Sequence, residues 1–155
     1  MPTHVAATRL AGCRSGRYVK LIAVYSIQVA DETFIAADPA TVGRAVADRS
    51  SWRRWFGDLR LEVVEDRADK GVRWTVAGPL TGTMEIWLQP MLDGVVLHYF
   101  LHAEPTAAGP APAKPGAASM NHQRRVAGKR MAFEIKNTLE ATRPVGVAPG
   151  PVISG

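Results

Sequence analysis

Cysteine is almost missing from this sequence, since Cys13 is the only one among 155 residues. A single thiol cannot form an internal disulfide, and it cannot supply the several ligands of a structural zinc site. We therefore predict no disulfide framework and no metal site, and no motif indicates a cofactor. A lone thiol is typical of a reducing compartment, which predicts a cytoplasmic location.

Long hydrophobic runs are missing as well. The apolar segment near the N-terminus, residues 21–25, is far shorter than the ~20 residues that cross a bilayer. It also lacks a clear cleavage site for secretion. The sequence therefore predicts no membrane span.

Acidic residues are absent from residues 1–28, which also show no sustained periodicity. This segment is interpreted either as a disordered or targeting extension or as the product of a translation start placed too early, with the natural start near Val29. Residues 29–120 carry nine basic and twelve acidic side chains, and residues 121–155 carry six and two. The net charge of +5 thus belongs to one terminal segment and one helix, which predicts no nucleic-acid partner.

Familiar catalytic motifs are also absent. The sequence has no Ser/His/Asp order, no glycine-rich phosphate loop and no nucleophile elbow. His98 and His102 share a face of a predicted strand, but at ~3.3 Å per residue they would lie about 13 Å apart, too far to bind one ion. Catalytic residues are therefore unknown from the sequence.

The longest helix is predicted over residues 121–143, just before Pro144, with Ser119 or Asn121 as N-cap. One stripe of this helix is apolar and includes the small residues Gly128 and Ala132. Two interpretations stay open. The small residues either allow a close contact between helix and sheet or leave room for a cavity.

The segment before this helix predicts two short helices and several antiparallel strands. A strand over 33–37 is followed by Asp38 and Pro39, a strong helix start, and then by a second short helix over 50–56. Alternating patterns over 59–63, 72–76, 84–88 and 95–103 predict four more strands. Residues 105–119 are rich in proline and alanine and predict a flexible insert, and residues 144–155 predict a disordered tail. The domain itself is predicted over residues 29–143.

The order of these elements resembles the helix-grip fold. The stretch FIAADPATVGRAVADRSSWRRWF resembles the opening of SRPBCC proteins of the polyketide cyclase/dehydrase and lipid-transport group, which are START-like. The segments GTMEIWLQP and DGVVLHYFL are similar to the last two strands of that family, and the resemblance covers residues 31 to 143. It implies an α+β fold in which a curved antiparallel sheet of about five to seven strands wraps round the long C-terminal helix, with two short helices after the first strand.

The resemblance also implies an apolar ligand cavity between the sheet and the last helix. Tyr99 would supply the one inward hydroxyl, which either orients a ligand or is simply a core tyrosine. The residues implied at this cavity are Trp74, Val76, Met84, Ile86, Leu88, Leu97, Tyr99 and Leu101 from the sheet and Gly128, Met131, Ala132 and Ile135 from the helix.

Strand parity places a second set of side chains on the outer face of the sheet. The resemblance implies that the first and last strands are neighbours, so Phe34, Trp87 and Phe100 would form an aromatic stripe across three adjacent strands, flanked by His98. A monomer seldom leaves such a patch in water, so a homodimer or another protein partner is predicted there.

The sequence therefore predicts a protein that binds a hydrophobic small molecule, of lipid or polyketide-like chemistry. Two alternatives stay open: an enzyme of the polyketide cyclase or dehydratase type that uses Tyr99, and a protein-interaction module that uses the outer sheet face. A binding protein is favoured over an enzyme because no catalytic motif is present. The ligand cannot be named from the sequence.

Overall fold

The computed structural model describes residues 25–107, 116–144 and 146–147. These residues form one five-stranded antiparallel sheet, three α-helices and a short 3-10 turn. In chain order the elements are β1 (Ile27–Ile35), α1 (Pro39–Ala47), α2 (Arg49–Phe56), β2 (Arg60–Asp66), the 3-10 turn (Ala68–Lys70), β3 (Gly71–Ala77), β4 (Leu80–Met91), β5 (Gly94–Pro105) and α3 (Ala117–Glu140). The predicted α+β helix-grip architecture is confirmed, with five strands.

Two aspartates cap the N-termini of the two short helices. Asp38 accepts a hydrogen bond from the backbone N–H of Thr41 at 3.0 Å, and Pro39 occupies the first helical position of α1. Asp48 ends α1 and caps α2 by accepting from the N–H of Ser50 at 3.1 Å. Because one residue serves both helices, α2 follows α1 directly, beginning at Arg49.

The strands lie in the order β1-β5-β4-β3-β2. The first and last strands are therefore neighbours, and β4 and β5 form the longest hairpin. Tyr99 of β5 faces Ile86 of β4 on one side and Asp31 of β1 on the other. This register places Tyr99 near the centre of the inner face.

The last helix differs from its predicted bounds at both ends. It begins at Ala117 after Gly116, and neither Ser119 nor Asn121 is its N-cap. The helix-forming residues Ala117 and Ala118 extend it backwards, so the predicted insert 105–119 overlaps both β5 and α3. It ends at Glu140 because Pro144 has no N–H to donate to the residue 140 carbonyl and its ring clashes with that group.

The first strand begins earlier than the predicted domain boundary. β1 starts at Ile27, which pairs with Ala103 and is 0% exposed. A boundary at residue 29 would cut this strand, because the two residues before Val29 already belong to the sheet. The other residues of the predicted extension, 1–24, and most of the predicted tail 144–155 lie outside the described residues, so both predictions stay predictions.

The core lies between the inner face of the sheet and the helices. Helix α3 packs mainly on β1, and α1 contacts the 3-10 turn, β3 and β4. The β2 end of the sheet is less well covered, since Leu61 and Val63 are only half-buried. No helix in the described part of the chain is long and apolar enough to cross a membrane.

Candidate functional site

All twelve residues predicted to face inward are buried in the core of the described structure. The alternation of apolar side chains therefore gave the correct inner register for β3, β4 and β5. The structure brings these residues together on one side of the sheet. Their role as the wall of a ligand cavity stays a prediction.

Gly128 shows how closely the last helix approaches the sheet. A Cβ atom at this position would lie 2.4 Å from Cε1 and 2.5 Å from Cδ1 of the Tyr99 ring. The ring thus takes the space that a side chain at 128 would need. At this position the small residue serves a close helix–sheet contact.

Helix α2 places two aromatic side chains on two aromatic residues of the sheet. Trp52 meets Trp74 edge-on, with ring centroids 5.2 Å apart, and Phe56 stacks on Tyr99 at 6.0 Å. Residues four apart share one face of a helix, so α2 covers β3 and β5 at the same time. We call Trp52, Phe56, Trp74 and Tyr99 the aromatic quartet.

Two polar atoms of the quartet are buried without a hydrogen-bond partner among the described residues. They are the indole Nε1 of Trp74 and the hydroxyl oxygen of Tyr99. The indoles of Trp52 and Trp55, by contrast, donate to the Val46 carbonyl at 2.8 Å and to Glu134 at 3.1 Å. A buried polar group without a partner costs about 1–3 kcal/mol and is uncommon in native proteins. The two atoms therefore mark an unusual point of the core.

The Tyr99 hydroxyl remains a proton donor over the ordinary pH range. Burial raises the pKa of Tyr99 well above its usual value of 10.0, and the positive charge of Arg124 opposes this shift. Arg124 lies one helical turn before Gly128 on α3.

Arg124 also joins α3 to the turn between α2 and β2. Its two terminal nitrogens donate to the two carboxylate oxygens of Asp58 at 2.9 and 2.5 Å. The hydrogen bond from Arg124 lowers the pKa of Asp58. A second contact joins the helices, because Glu134 of α3 accepts from Arg54 and Trp55 of α2. Helix α2 is thus held by these polar contacts at its edges as well as by the packing of Trp52 and Phe56 on the sheet.

A surface concavity of about 280 Å³ opens beside α2 at the β2 end of the sheet. Its base is apolar and its rim is basic, and Arg49 lies over the Trp52 ring at 5.5 Å. Trp52 belongs to the aromatic quartet and also lines this concavity, so the two features share a wall. The lining residues are Arg49, Trp52, Arg53, Gly57, Leu59 and Leu61.

The outer sheet face carries an aromatic stack, but its composition differs from the predicted stripe. Trp87 stacks on His98 at 4.6 Å, and His98 is parallel to Phe100 at 6.1 Å. Phe34 points to the same face but lies over Gly94 and beside Lys136, because its cross-strand partner is Val96.

The two histidines of β5 also have separate neighbours. His98 contacts Gln89 at 3.0 Å and Glu32 at 3.6 Å, whereas His102 stacks on Tyr25. Within the described ranges, no group of three His, Cys, Asp or Glu side chains is arranged to hold a metal ion.

Sequence reasoning missed the residues around α2 that complete this site. Trp52 and Phe56 lie four residues apart in the predicted helix 50–56, and this spacing is the sequence signal for a shared apolar face. No sequence pattern predicted the concavity or the Asp58–Arg124 pair. The two residues of the pair are 66 positions apart, and local patterns do not predict such a contact.

The structure is similar to several solved protein structures, over almost the whole length of each. The Aha1 dimer of Colwellia psychrerythraea has a TM-score of 0.53 at 13% identity, over 76% of this chain and 99% of that chain. Protein MLL2253 of Mesorhizobium loti has a TM-score of 0.53 at 16% identity, over 76% and 99%. DR_A0006 of Deinococcus radiodurans has a TM-score of 0.50 at 15% identity, over 72% and 98%. No family model and no curated protein sequence matches the chain.

The protein therefore shares its α+β helix-grip fold with these solved structures. Identities this low establish the shared fold alone.

Proposed function

We propose that the protein binds a hydrophobic small molecule, of lipid or polyketide-like chemistry, between the sheet and helices α2 and α3, as the resemblance to SRPBCC proteins implies. The observation that carries this proposal is the pair of buried polar atoms in the quartet, Trp74 Nε1 and the Tyr99 hydroxyl. They lie in an apolar core and have no partner among the described residues. A ligand that offers an acceptor would satisfy them.

The chemistry of these two groups indicates what such a ligand would present. An indole N–H can only donate, and a phenol whose pKa is raised by burial stays protonated and also donates. A carbonyl or ether oxygen on an otherwise apolar molecule can accept from either donor. The apolar neighbours would hold the rest of the molecule by burying its hydrocarbon surface.

The β2 end of the sheet offers a route to this position. Leu61 and Val63 are half-buried there, and Trp52 of α2 lies between the concavity and Trp74. Helix α2 has only eight residues, so a displacement of this short element would admit a ligand while α3 keeps its contact with β1. The sheet itself need not open.

Titration with 2-dodecanone, followed by tryptophan fluorescence, tests the proposal. We expect saturable binding to the wild type and a loss of about five- to tenfold in affinity for Tyr99→Phe, because one hydrogen bond is removed. Tyr25→Phe is the matched control, since Tyr25 is only half-buried and stacks on His102, away from the quartet. Absence of saturable binding, or equal affinity of wild type and Tyr99→Phe, would contradict the proposal.

The alternative of a cyclase or dehydratase would use the same hydroxyl. A protonated Tyr99 can polarise a carbonyl by donating a hydrogen bond, but no carboxylate or imidazole in the described part of the chain is hydrogen-bonded to it. Catalytic residues therefore stay unassigned. Turnover of a polyketide-like ketone that is lost in Tyr99→Phe would favour this alternative.

A second candidate function is self-association through the outer sheet face. Trp87 is 39% exposed although its ring stacks on His98, so part of an aromatic surface faces solvent. The similar protein of Colwellia psychrerythraea is described as a dimer. We propose a second copy of this chain as the partner of this face.

A further inference from the structure

The basic rim of the concavity beside α2 consists of two arginines without an acidic partner. Arg49 and Arg53 are four residues apart on one face of the helix, and both are exposed. Neither forms an ion pair within the described residues, whereas the neighbouring Arg54 is paired with Glu134. Like charges at this spacing destabilise a helix slightly, so an anion between them would be favourable.

The acidic groups closest in sequence are already engaged. Asp48 accepts hydrogen bonds from Ser50 and Ser51, which lower its pKa, and it serves as the cap of α2. Asp58 is held by both terminal nitrogens of Arg124. The two rim arginines are therefore left for an external anion.

The floor below these charges is apolar and continues toward the core. Leu59 is buried, Leu61 is half-buried, and Trp52 separates the floor from Trp74. A cationic rim above an apolar floor is complementary to a molecule with an anionic end and a hydrocarbon body. The volume of about 280 Å³ is small for a whole ligand and suits the anionic end with the first part of the chain.

We propose that the ligand is an anionic amphiphile whose carboxylate or phosphate group lies between Arg49 and Arg53. Its hydrocarbon body passes beside Trp52 toward Trp74 and Tyr99, where an oxygen carried further along the body would accept from the two buried donors. This inference rests on the proposed function and names the chemical class of the ligand. It also assigns Arg49 and Arg53 as the residues that select for charge.

The test compares dodecanoate with dodecanol, which has the same chain length without the charge. Both are titrated below their aggregation concentrations at pH 8 into the full chain, with calorimetric or fluorescence detection. We expect the wild type to bind dodecanoate about tenfold or more tightly than dodecanol, because two charge-assisted contacts are available. Arg49→Gln/Arg53→Gln should lose this preference and bind dodecanol as the wild type does.

The matched control is Arg125→Gln/Arg130→Gln, which removes the same charge from two exposed positions of α3. It should keep the wild-type preference. Arg49→Lys/Arg53→Lys keeps the charge and should retain part of the preference. Thermal midpoints of all variants should match the wild type because these side chains are exposed.

The outcomes separate this inference from the proposed function. Equal affinity of the wild type for dodecanoate and dodecanol would overturn the inference and leave the proposed function standing. Absence of dodecanoate binding in a protein that binds 2-dodecanone would overturn the inference alone, and absence of binding for all three compounds would overturn both. Acetate that binds as tightly as dodecanoate, with the same dependence on Arg49 and Arg53, would show a site for free anions and overturn the amphiphile.

Discussion

Gly128 of α3 and Tyr99 of β5 are in direct contact, since a Cβ atom on residue 128 would lie 2.4 Å from Cε1 of the tyrosine ring. Phe56 of α2 stacks on the same ring. Tyr99 therefore contacts two helices that are more than 60 residues apart in the sequence. Its position links the packing of the domain to the proposed binding site.

We predict that Gly128→Ala destabilises the protein. Alanine would favour the helix by about 1 kcal/mol, but the added methyl group overlaps an aromatic ring that is itself packed, and such overpacking typically costs about 1–3 kcal/mol. The denaturant midpoint should therefore fall. A double variant with Tyr99→Leu provides the control. Without the aromatic ring, Gly128→Ala should be neutral or stabilising, and an equal loss of stability in this background would show that the ring is not its cause.

We predict that Tyr99→Phe changes the dependence of stability on high pH. Burial raises the pKa of Tyr99 in the folded protein above its usual value of 10.0. The unfolded chain therefore loses this proton first, and stability is complete below pH 10 and falls as the pH rises above it, by up to about 1.4 kcal/mol per pH unit.

Urea unfolding at pH 9, 10 and 11 measures this dependence. The wild type should lose stability over this range faster than Tyr99→Phe. At pH 7 the phenylalanine variant should be as stable as the wild type or more stable, because it removes a buried hydroxyl that has no partner among the described residues. Parallel curves for the two proteins would mean that the phenol titrates normally.

The fold and the inner register could be predicted because both depend on local patterns. Strict alternation from Trp74 to Val76 and from Met84 to Leu88 leaves only one face for the core. The Asp38–Pro39 pair marks a helix start by itself. These signals need no information about distant parts of the chain.

Long-range contacts could not be predicted in the same way. Asn121 was a candidate N-cap, but its side chain accepts from the N–H of Gln28 and donates to the carbonyl of Ser26. The alternation of side chains placed Phe34 on the outer face, but it does not fix how two neighbouring strands are aligned. In the structure Phe34 pairs with Val96, which is two residues from His98. The arginines of the concavity become neighbours of Leu59 and Leu61 only after the chain has turned at Gly57.

We predict that removal of residues 1–28 destabilises the domain. This corrects the expectation that the domain begins at Val29, because Ile27 is fully buried and Gln28 is bonded to Asn121. A chain that begins at Val29 should lose several kcal/mol relative to one that begins at Tyr25, since a buried isoleucine cut to alanine alone costs about 2–5 kcal/mol. Ile27→Ala in the full chain is the control. Equal denaturation midpoints for the two truncated chains would show that β1 does not need the strand pairing of its first two residues.

We predict that Glu134→Gln loosens α2 without unfolding the domain. Glu134 accepts from Arg54 and Trp55, and the hydrogen bond from Arg54 lowers its pKa below the usual 4.5. The pair is largely exposed, so the global loss should stay below about 1 kcal/mol. Amide exchange in α2 should nevertheless accelerate, and dodecanoate should bind and leave faster.

The lowered pKa of Glu134 also predicts how this effect depends on pH. Because the folded pKa of Glu134 is lowered, its contribution is complete above pH 4.5 and is lost as the pH falls through the lowered folded value. Below that value, the wild type should approach the exchange rates of Glu134→Gln. Glu65→Gln, an exposed substitution on β2, is the control and should leave α2 unchanged at every pH.

The outer sheet face supplies the last prediction. Trp87, His98 and Phe100 form a stacked row across β4 and β5, and Trp87 remains 39% exposed. If a second copy covers this row, Trp87→Glu should convert a dimer to a monomer, because a carboxylate would be buried against an aromatic surface. Sedimentation over a hundredfold range of concentration measures the change.

Leu92→Glu is the matched control, since Leu92 is exposed at the tip of the β4–β5 hairpin, away from the row. A wild type that stays monomeric at the highest concentration would exclude self-association through this face and leave the exposed tryptophan without a role in assembly.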